Sequence, residues 1–324
     1  MTKIDLITGI LGSGKTTFLL RYARYLLDSG QRIAILVNDY GAVNVDMLML
    51  QELKCPNCQL EMIAGTSDPC CHKRRFKTQL ISLGMQHFDR VIVEPSGIFD
   101  MDEFFDILHE SPLDNWFTIG SIIGILDSET DDTLTGQMEY LLASEAACCG
   151  KLVVSKIKAG DDTSEITEKL LERLNTALDD IKCDRRFTEK DVISCDWSEL
   201  DGNTLRTLSD AGYRSSRYVK KYHPEDILSS VHYFMHIKLP DEKIETVVNS
   251  IMNDNGCGKI FRIKGSLHSD SKGWLKINAT PLKTEITPVI DGQSVLIVIG
   301  DNIKRENIDE HITQFNSDSE YVSI

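Results

Sequence analysis

Short apolar runs alternate with amphipathic stretches along the first part of the chain. The runs are continuous rather than alternating, as expected for parallel strands that are covered on both faces. Between the first two runs, Thr16 to Leu27 has helical periodicity, and Gly30 is a plausible stop. This order predicts a doubly wound, mostly parallel α/β domain. The five predicted strands are Ile4–Ile7, Arg32–Val37, Arg90–Val93, Ile122–Leu126 and Lys151–Val154.

A second apolar pattern begins near residue 231 and mixes strands with helices. It predicts a smaller α+β domain at 231–318, separated from the first domain, 1–215, by a polar and basic linker at 216–230. We expect Asp241 to cap the first helix of this domain, and residues 316–324 to form a loose tail. The predicted elements are the strands His232–Ile237, Ile260–Lys264, Gly273–Ile277 and Ser294–Ile299 and the helices Asp241–Met252 and Ile303–Phe315.

Composition narrows the class of protein. The chain has 324 residues, 41% of them hydrophobic, and a formal net charge of −15. A strongly acidic chain is a poor partner for nucleic acid or for an anionic membrane, since both attract a basic face. No apolar run is long enough to span a bilayer. We therefore expect a cytoplasmic protein that binds neither nucleic acid nor membrane.

Residues Gly9 to Thr16 match the pattern G-x-x-x-x-G-K-[ST]. They follow a predicted strand and open a predicted helix, which is the context of a phosphate-binding P-loop. Lys15 is expected to reach the β- and γ-phosphates and act in catalysis, and Thr16 to hold Mg²⁺ through its hydroxyl. The other residues predicted to bind nucleotide here are Gly9, Gly12, Ser13, Gly14 and Thr17.

Two further segments carry acids at positions suited to a nucleotide site. Glu94 ends a predicted strand and is followed three residues later by Gly97. An acid at the carboxyl end of a parallel strand faces the ligand crevice. Glu94 is therefore a candidate to support Mg²⁺ or the attacking water, and Gly97 to sense the γ-phosphate. Asp46, in the polar stretch after the second strand, is either a Mg²⁺ contact or a solvated carboxylate.

Four of the nine cysteines crowd into one short stretch: Cys55, Cys58, Cys70 and Cys71. The first two form a C-x-x-C pair, a spacing that tetrahedral zinc sites often use. Soft thiolates favour Zn²⁺, Cu(I) or an iron–sulfur centre over Mg²⁺. The alternatives are chance cysteines in a loop or a thiol redox pair. Ordinary packing is expected for Cys148, Cys149, Cys183, Cys195 and Cys257.

Taken together, these motifs resemble the CobW-type metallochaperone family of P-loop GTPases, which is related to HypB and UreG. The resemblance covers nearly the whole chain, including a CobW-like C-terminal domain. It implies that GTP hydrolysis drives the delivery of zinc, cobalt or another transition metal to a client metalloprotein. The shared segments, in the family's order, are Gly9–Thr16, Asn38–Asp46, the cysteine stretch, Glu94–Gly97, Phe261–Gly265 and Val295–Gly300.

The chain departs from the family pattern in its cysteine motif. The family usually carries G-C-x-C-C, whereas this chain reads Gly65-Thr66-Ser67-Asp68-Pro69-Cys70-Cys71, so Asp68 stands in the place of the first cysteine. In apparent exchange for that missing cysteine, Cys55 and Cys58 supply a C-x-x-C pair further upstream. Together the four thiols are the predicted transition-metal ligands, with Asp68 and His72 as alternative ligands.

The chain also departs from the family in its base-recognition motif. The family usually ends a later strand with [NST]-K-x-D, whose acid accepts two hydrogen bonds from guanine. Here Ser155 and Lys156 fit the motif, but Lys158 stands where the acid is expected. A cation cannot accept those bonds, which leaves Asp161 or Asp162 as substitutes. GTP is expected through the resemblance, and ATP stays an alternative.

Three functional hypotheses follow. The first is a GTP-hydrolysing metallochaperone that binds zinc or cobalt through the cysteine stretch. The second is a nucleotide-gated thiol or metal sensor, or an assembly partner for a metallo- or corrinoid enzyme, with weak hydrolysis. The third is a P-loop phosphotransferase. The sequence leaves the oligomeric state open, with a homodimer as one alternative.

Overall fold

In a computed structural model of the chain, the described residues form two compact units. The first unit is described as far as residue 222, and the second from residue 231 onward. No helix in the described ranges is long and apolar enough to cross a membrane. These ranges are 1–10, 12–38, 50–63, 69–96, 101–130, 136–222, 231–281 and 283–324, with backbone alone at residues 69, 70 and 72.

The first unit is built on a seven-stranded parallel sheet with the order β3-β2-β4-β1-β5-β6-β7. Strand β1 lies between β4 and β5, so the loop that follows it opens at the centre of the sheet. The buried strands β1, β2 and β4 confirm the continuous apolar runs as parallel strands covered on both faces. The strands are β1 (Thr2–Thr8), β2 (Ile33–Asn38), β3 (Cys58–Ile63), β4 (Arg90–Pro95), β5 (Phe117–Asp127), β6 (Lys151–Ser155) and β7 (Val192–Ile193).

Helices connect these strands. The first helix buries Phe18, Leu19, Tyr22 and Leu26 on one face, the periodicity that predicted it. It begins after Gly14, which lies in the left-handed region. The helices are α1 (Lys15–Asp28), α2 (Pro69–Gly84), α3 (Met101–Leu108), α4 (Leu113–Trp116), α5 (Gly136–Ala146), α6 (Thr163–Asp180) and α7 (Gly202–Ser209).

Strand β3 is an edge strand that the apolar pattern did not predict. Among the described strands it pairs only with β2, in parallel register from Ile33 opposite Cys58 to Asn38 opposite Ile63. Its sequence, CQLEMI, includes polar side chains, because one side of an edge strand stays accessible to water. The cysteine stretch, for which a loop was one alternative, therefore contains part of the sheet, beginning at Cys58.

A buried ion pair ties the centre of the sheet together. The carboxylate of Asp5 on β1 accepts hydrogen bonds from Arg90 on β4 at 2.5 Å and from the hydroxyl of Tyr22 at 2.7 Å. Its second oxygen accepts from the backbone N–H of Ser121 at 2.8 Å. Burial raises the pKa of Asp5, and the Arg90 guanidinium opposes that effect. Such a pair is costly to break from one side, because a buried charge is then left uncompensated.

The second unit is a six-stranded antiparallel sheet with the order β11-β10-β9-β12-β8-β13. Helix α8 packs Ile244, Val248 and Ile251 into its core, and helix α9 adds Ile308 and Ile312. The α+β prediction for this part of the chain is confirmed. The elements are β8 (Val231–Met235), α8 (Asp241–Asn253), β9 (Lys259–Ser269), β10 (Gly273–Thr280), β11 (Lys283–Pro288), β12 (Val295–Asp301), α9 (Arg305–Thr313) and β13 (Val322–Ser323).

The chain end is ordered, which corrects the expectation of a loose tail. Val322 pairs with Met235 as part of β13, and the Tyr321 hydroxyl donates to Asp309 at 2.5 Å. These contacts add an edge strand to the second sheet and a hydrogen bond to α9, neither of which the polar sequence of the tail predicts.

Two other expectations need revision. Asp241 does not cap α8; it is the first helical residue, and its carboxylate accepts from the backbone N–H groups of Asp270 and Ser271 in the turn between β9 and β10. The stretch predicted as a linker begins as part of the first unit. There, the N–H of Val219 donates to the carbonyl of Ile181 at 2.7 Å.

Candidate functional site

The loop after β1 has the backbone of a phosphate-binding loop. Gly9, Gly12 and Gly14 all have positive φ, at 140°, 89° and 101°. A Cβ at Gly9 would lie 2.5 Å from the carbonyl oxygen of Ile125, so only glycine fits this approach. The loop leads directly into the N-terminus of α1, where backbone N–H groups and the helix dipole favour an anion.

Lys15 and Ser13 place polar groups inside this loop. The Lys15 ammonium donates to the carbonyl oxygen of Gly9 at 2.7 Å and to that of Ile10 at 3.4 Å. Ser13 is buried, and its hydroxyl has no hydrogen-bond partner among the described residues. A buried polar group of this kind fits a site that receives a polar ligand. Thr17, also predicted to bind nucleotide, is exposed on the first turn of α1.

Thr16 and Glu94 meet at the carboxyl edge of the sheet. The Thr16 hydroxyl donates to the Glu94 carboxylate at 2.6 Å, and both residues are buried. Hydroxyl and carboxylate oxygens are the hard ligands that Mg²⁺ prefers. The neighbouring Asn38 ends β2, and its buried side-chain amide has no partner among the described residues. The residues present therefore fit a magnesium ion beside a phosphate.

Glu145 lies beneath the loop and carries no sequence signal. One of its carboxylate oxygens accepts from the backbone N–H of Gly9 at 2.8 Å and from the Thr8 hydroxyl at 3.3 Å. Complete burial raises the pKa of Glu145 to about 7, against the opposing charge of Lys15. The contact joins residues that are 136 positions apart, so local pattern analysis could not find it.

The end of β6 brings Ser155 and Lys156 to the same edge of the sheet. The Ser155 hydroxyl donates to the carbonyl of Leu126 at 3.1 Å. Lys156 has a φ of 62° and donates to the carboxylate of Asp127 at 2.5 Å. The ion pair fixes the Lys156 side chain beside the end of β5.

Asp161 and Asp162, the possible substitutes for the missing guanine acceptor, both accept hydrogen bonds from nearby backbone N–H groups. The Asp161 carboxylate accepts from the backbone N–H of Lys158 at 2.8 Å. Asp162 caps α6 by accepting from Ser164 and Glu165. The Lys158 ammonium donates to Glu129 at 2.8 Å. Each acid thus uses one carboxylate oxygen for a local backbone contact, and the preference for guanine stays a prediction.

Trp197 is a second residue that the sequence did not single out. Its indole N–H donates to the carbonyl of Val154 at 2.7 Å, and its ring meets Phe18 edge-on with centroids 5.8 Å apart. A Cβ at Gly14 would lie 3.2 Å from this ring. Trp197 therefore forms a wall beside the start of α1.

The C-x-x-C pair lies at the amino end of β3. Cys58 is the first residue of that strand and is buried, whereas Cys55 is exposed. The N–H of Cys58 donates to the carbonyl of Cys55 at 3.0 Å. Burial, with a smaller contribution from Cys55, raises the pKa of Cys58 to about 11. No disulfide joins the cysteines whose side chains are described.

The second pair, Cys70 and Cys71, lies near the start of α2. Gln79 on α2 donates to Glu61 on β3 at 3.1 Å, which fixes the helix against the strand. Cys58 is three strand residues from Glu61, about 10 Å, and Cys71 is eight helical residues from Gln79, about 12 Å in the other direction. Because α2 connects the parallel strands β3 and β4, it begins at the carboxyl edge of the sheet, whereas Cys58 lies at the amino edge.

Several predicted site residues fall outside the described part of the chain. Asp46, Gly97 and Asp68 lie there, and so do the side chains of Cys70 and His72. Their roles stay predictions, as does the binding of metal by either cysteine pair. Among the described side chains, Cys55, Cys58 and Cys71 do not form a group of close metal ligands.

The fold and this site define a P-loop nucleotide-binding protein. The family model for the CobW/HypB/UreG nucleotide-binding domain matches residues 3–187, more than half of the chain. The chain belongs to this family.

Two curated relatives from Escherichia coli (strain K12) are similar to the chain. The zinc chaperone YeiR is 32% identical over 128 residues, which cover 39% of this chain and 38% of the relative. The zinc chaperone YjiA is 27% identical over 179 residues, which cover 52% of this chain and 53% of the relative. The chain thus aligns with about half or less of each. A solved structure of Zn(II)-bound YjiA GTPase covers 98% of this chain and 99% of its own at 15% identity, with a TM-score of 0.36.

Proposed function

We propose that the chain is a GTP-hydrolysing metallochaperone that binds a transition metal, zinc or cobalt, and passes it to a client metalloprotein. The observation that carries this proposal is the buried contact between Thr16 and Glu94 within a P-loop site. Helix α2, which bears Cys70 and Cys71, begins at the same edge of the sheet. A nucleotide site and a pair of thiols at one edge suit the coupling of hydrolysis to metal release.

Each residue of the nucleotide site has a task in this proposal. Lys15 and the backbone N–H groups of the loop bind the phosphates. Thr16 and Glu94 would hold a Mg²⁺ ion, which when bound neutralises charge that develops on the phosphates. Glu94 also orients the attacking water. Glu145 holds the backbone of Gly9 in place from below.

The cargo metal is assigned to Cys70 and Cys71. Thiolates favour zinc and similar soft cations. Several curated relatives are named zinc chaperones, which favours zinc here over cobalt, with a corrinoid enzyme as the alternative client. We propose that contacts with the γ-phosphate set the geometry of the chain between Asn38 and Cys71. Hydrolysis then lowers the affinity for the metal.

The sensor alternative rests on oxidation of the pair Cys55 and Cys58. A pKa of about 11 leaves little thiolate on Cys58 at neutral pH. Since the thiolate is the reactive form, the Cys58 sulfur is a poor nucleophile for such an oxidation. The cytoplasmic location, the homodimer and the phosphotransferase alternative stay predictions.

Two measurements on the anaerobically purified full chain test the proposal. Phosphate release from GTP, without an added acceptor, should be lost in Lys15→Ala. Zinc binding should change between GDP and a non-hydrolysable GTP analogue, and this nucleotide-responsive zinc should be lost in Cys71→Ser but kept in the control Cys183→Ala. The proposal fails if the chain releases no phosphate from GTP, or if its zinc affinity is the same with GDP and with the analogue.

A further inference from the structure

Three side chains with metal-binding chemistry converge in the second unit. The Asp254 carboxylate lies 2.8 Å from the His311 Nε2 atom and 3.7 Å from the Cys257 sulfur. One ligand atom from each of the three residues lies within 4.8 Å of the others. No other trio of histidine, cysteine or acidic side chains in the described ranges meets this condition.

The chain between α8 and β9 builds two of the three positions. Asp254 caps the short 3₁₀ turn Asn255–Cys257, and its Oδ1 accepts from the backbone N–H of Gly256 at 2.8 Å. This bond leaves Oδ2 facing Cys257 and His311. The spacing of acid and thiol, three residues apart on a tight turn, is that of a C-x-x-C zinc knuckle with an acid in place of the first cysteine.

Helix α9 supplies the third position and is held against the turn. The Asn307 amide donates to the carbonyl of Gly256 at 2.7 Å, and the N–H of Lys304 donates to the carbonyl of Cys257 at 3.0 Å. Gly258 has a φ of 99°, and a Cβ there would lie 2.5 Å from the carbonyl oxygen of Asn302. The turn and the helix therefore hold their ligands in place without help from an ion.

The exposure of the three groups suits an exchangeable ion. Cys257 is fully buried, while the His311 and Asp254 side chains are 27% and 42% exposed. The thiol is therefore the buried member of the group, and the histidine and aspartate side chains are partly exposed to solvent. Three protein ligands with an open fourth side are the arrangement of zinc sites that exchange a water or a substrate.

We propose that Asp254, Cys257 and His311 bind a divalent transition cation of the zinc or cobalt(II) class. A set of one sulfur, one nitrogen and one oxygen selects such cations over Mg²⁺ or Ca²⁺, which prefer oxygen alone. On binding, the cation displaces the thiol proton of Cys257 to solvent, and His311 binds through Nε2 as the neutral imidazole with its proton on Nδ1. This site belongs to the second unit and does not depend on the nucleotide.

The competing explanation is a purely structural hydrogen-bond cluster, in which Asp254 caps a turn and anchors His311. The two explanations differ in what Asp254→Asn does. Asparagine is as good a cap as aspartate, so the turn is kept. The negative charge is lost, however, so the affinity for a cation falls.

The test uses Co²⁺ as a probe and a full chain that lacks the cysteines of the first unit's stretch, through Cys55→Ser, Cys58→Ala, Cys70→Ser and Cys71→Ser. In this background the site should bind one Co²⁺ per chain, with a thiolate-to-cobalt absorption band in the near ultraviolet. His311→Gln and Asp254→Asn should each weaken binding about tenfold or more. Cys257→Ser should remove the band. The matched control is His236→Gln, which changes another histidine near an acid, Glu320 at 3.9 Å.

The outcomes separate this site from the proposed function. Binding that is lost in His311→Gln but unchanged by GTP analogue or GDP supports the proposal, whether or not the chain hydrolyses GTP. The absence of a saturable thiolate band, or equal binding by His311→Gln and the background chain, overturns it. Thermal unfolding with a chelator present checks that Asp254→Asn and His311→Gln fold. These two variants test the proposal even if Cys257→Ser does not fold.

Discussion

The Thr16 hydroxyl donates a 2.6 Å hydrogen bond to the carboxylate of Glu94, a residue 78 positions further along the chain. Thr16 lies on the first turn of α1 and Glu94 at the end of β4, so the bond joins the two elements that a P-loop site requires. Both residues are buried, so their oxygens are largely shielded from bulk water. The contact gives the proposed magnesium site a definite pair of ligands.

Replacing these two residues should have different effects. Thr16→Ala removes a Mg²⁺ ligand, so Mg²⁺ should no longer strengthen GTP-analogue binding, a loss of about tenfold or more. Glu94→Gln keeps the shape and an amide oxygen that can still face Mg²⁺, but it cannot act as a base, so GTP hydrolysis should fall about 100-fold or more while the nucleotide still binds with Mg²⁺. Isothermal titration and phosphate release measure the two effects.

The control for this pair is Thr78→Ala on α2, which removes a hydroxyl that donates to the carbonyl of Arg74 in its own helix. It should leave both quantities unchanged. Glu94→Gln with full hydrolysis would remove Glu94 from the catalytic role.

Glu145 should make the stability of the chain depend on pH. Its pKa is raised by burial from 4.5 to about 7, so the folded chain holds a proton that the unfolded chain releases. The stabilising effect of that proton is complete below about pH 4.5 and is lost as the pH rises through about 7. The free energy of unfolding should therefore fall over this window in the unchanged chain.

Glu145→Gln isolates this effect, because glutamine can still accept from the N–H of Gly9 but does not titrate. Urea unfolding at a series of pH values should give a smaller decline in the variant than in the unchanged chain. Parallel pH profiles for the two chains would show that Glu145 does not titrate in this range.

The ion pair of Asp5 and Arg90 should contribute to stability because it is buried. Arg90→Ala leaves the Asp5 carboxylate without its partner and should cost about 3–5 kcal/mol of unfolding free energy. Lys77→Ala, which removes the cation from the exposed pair with Glu110, should cost much less. Urea unfolding of both variants measures the contrast, and equal losses would contradict the role of burial.

The preference for GTP over ATP should change when Lys158 is replaced by an acid. An acid at this position can accept two hydrogen bonds from guanine, and bonds to a charged acceptor contribute about 1.5–3 kcal/mol. Lys158→Asp should therefore raise the preference for GTP over ATP about tenfold or more, measured by competition for a fluorescent nucleotide. Lys272→Asp, in an exposed turn of the second unit, makes the same charge change and should leave the preference as it is.

Local patterns in the sequence predicted those elements whose structure depends on neighbouring residues alone. The P-loop is eight consecutive residues, and β1, β2 and β4 are buried on both faces. A short stretch of sequence is therefore enough to recognise each of them. Strand β3 escaped because it is an edge strand with mixed side chains.

Long-range contacts explain the rest of what was missed. Glu145 and Trp197 reach the P-loop from distant elements, and neither lies in a motif. Cys257 was assigned to ordinary packing because its companion His311 lies 54 positions away, on another element. The separation of the two cysteine pairs likewise follows from β3 and α2, whose lengths the sequence pattern did not provide.

In the proposed mechanism, the bound nucleotide controls the affinity for the cargo metal. The zinc affinity of the full chain should therefore be measured anaerobically against a chelating indicator, with GDP and with a non-hydrolysable GTP analogue. Coupling between two sites is typically about 1–3 kcal/mol, so zinc should bind about 5- to 150-fold more tightly with the analogue. Cys71→Ser should abolish the difference. Equal zinc affinity in the two nucleotide states would show that the nucleotide does not control metal binding.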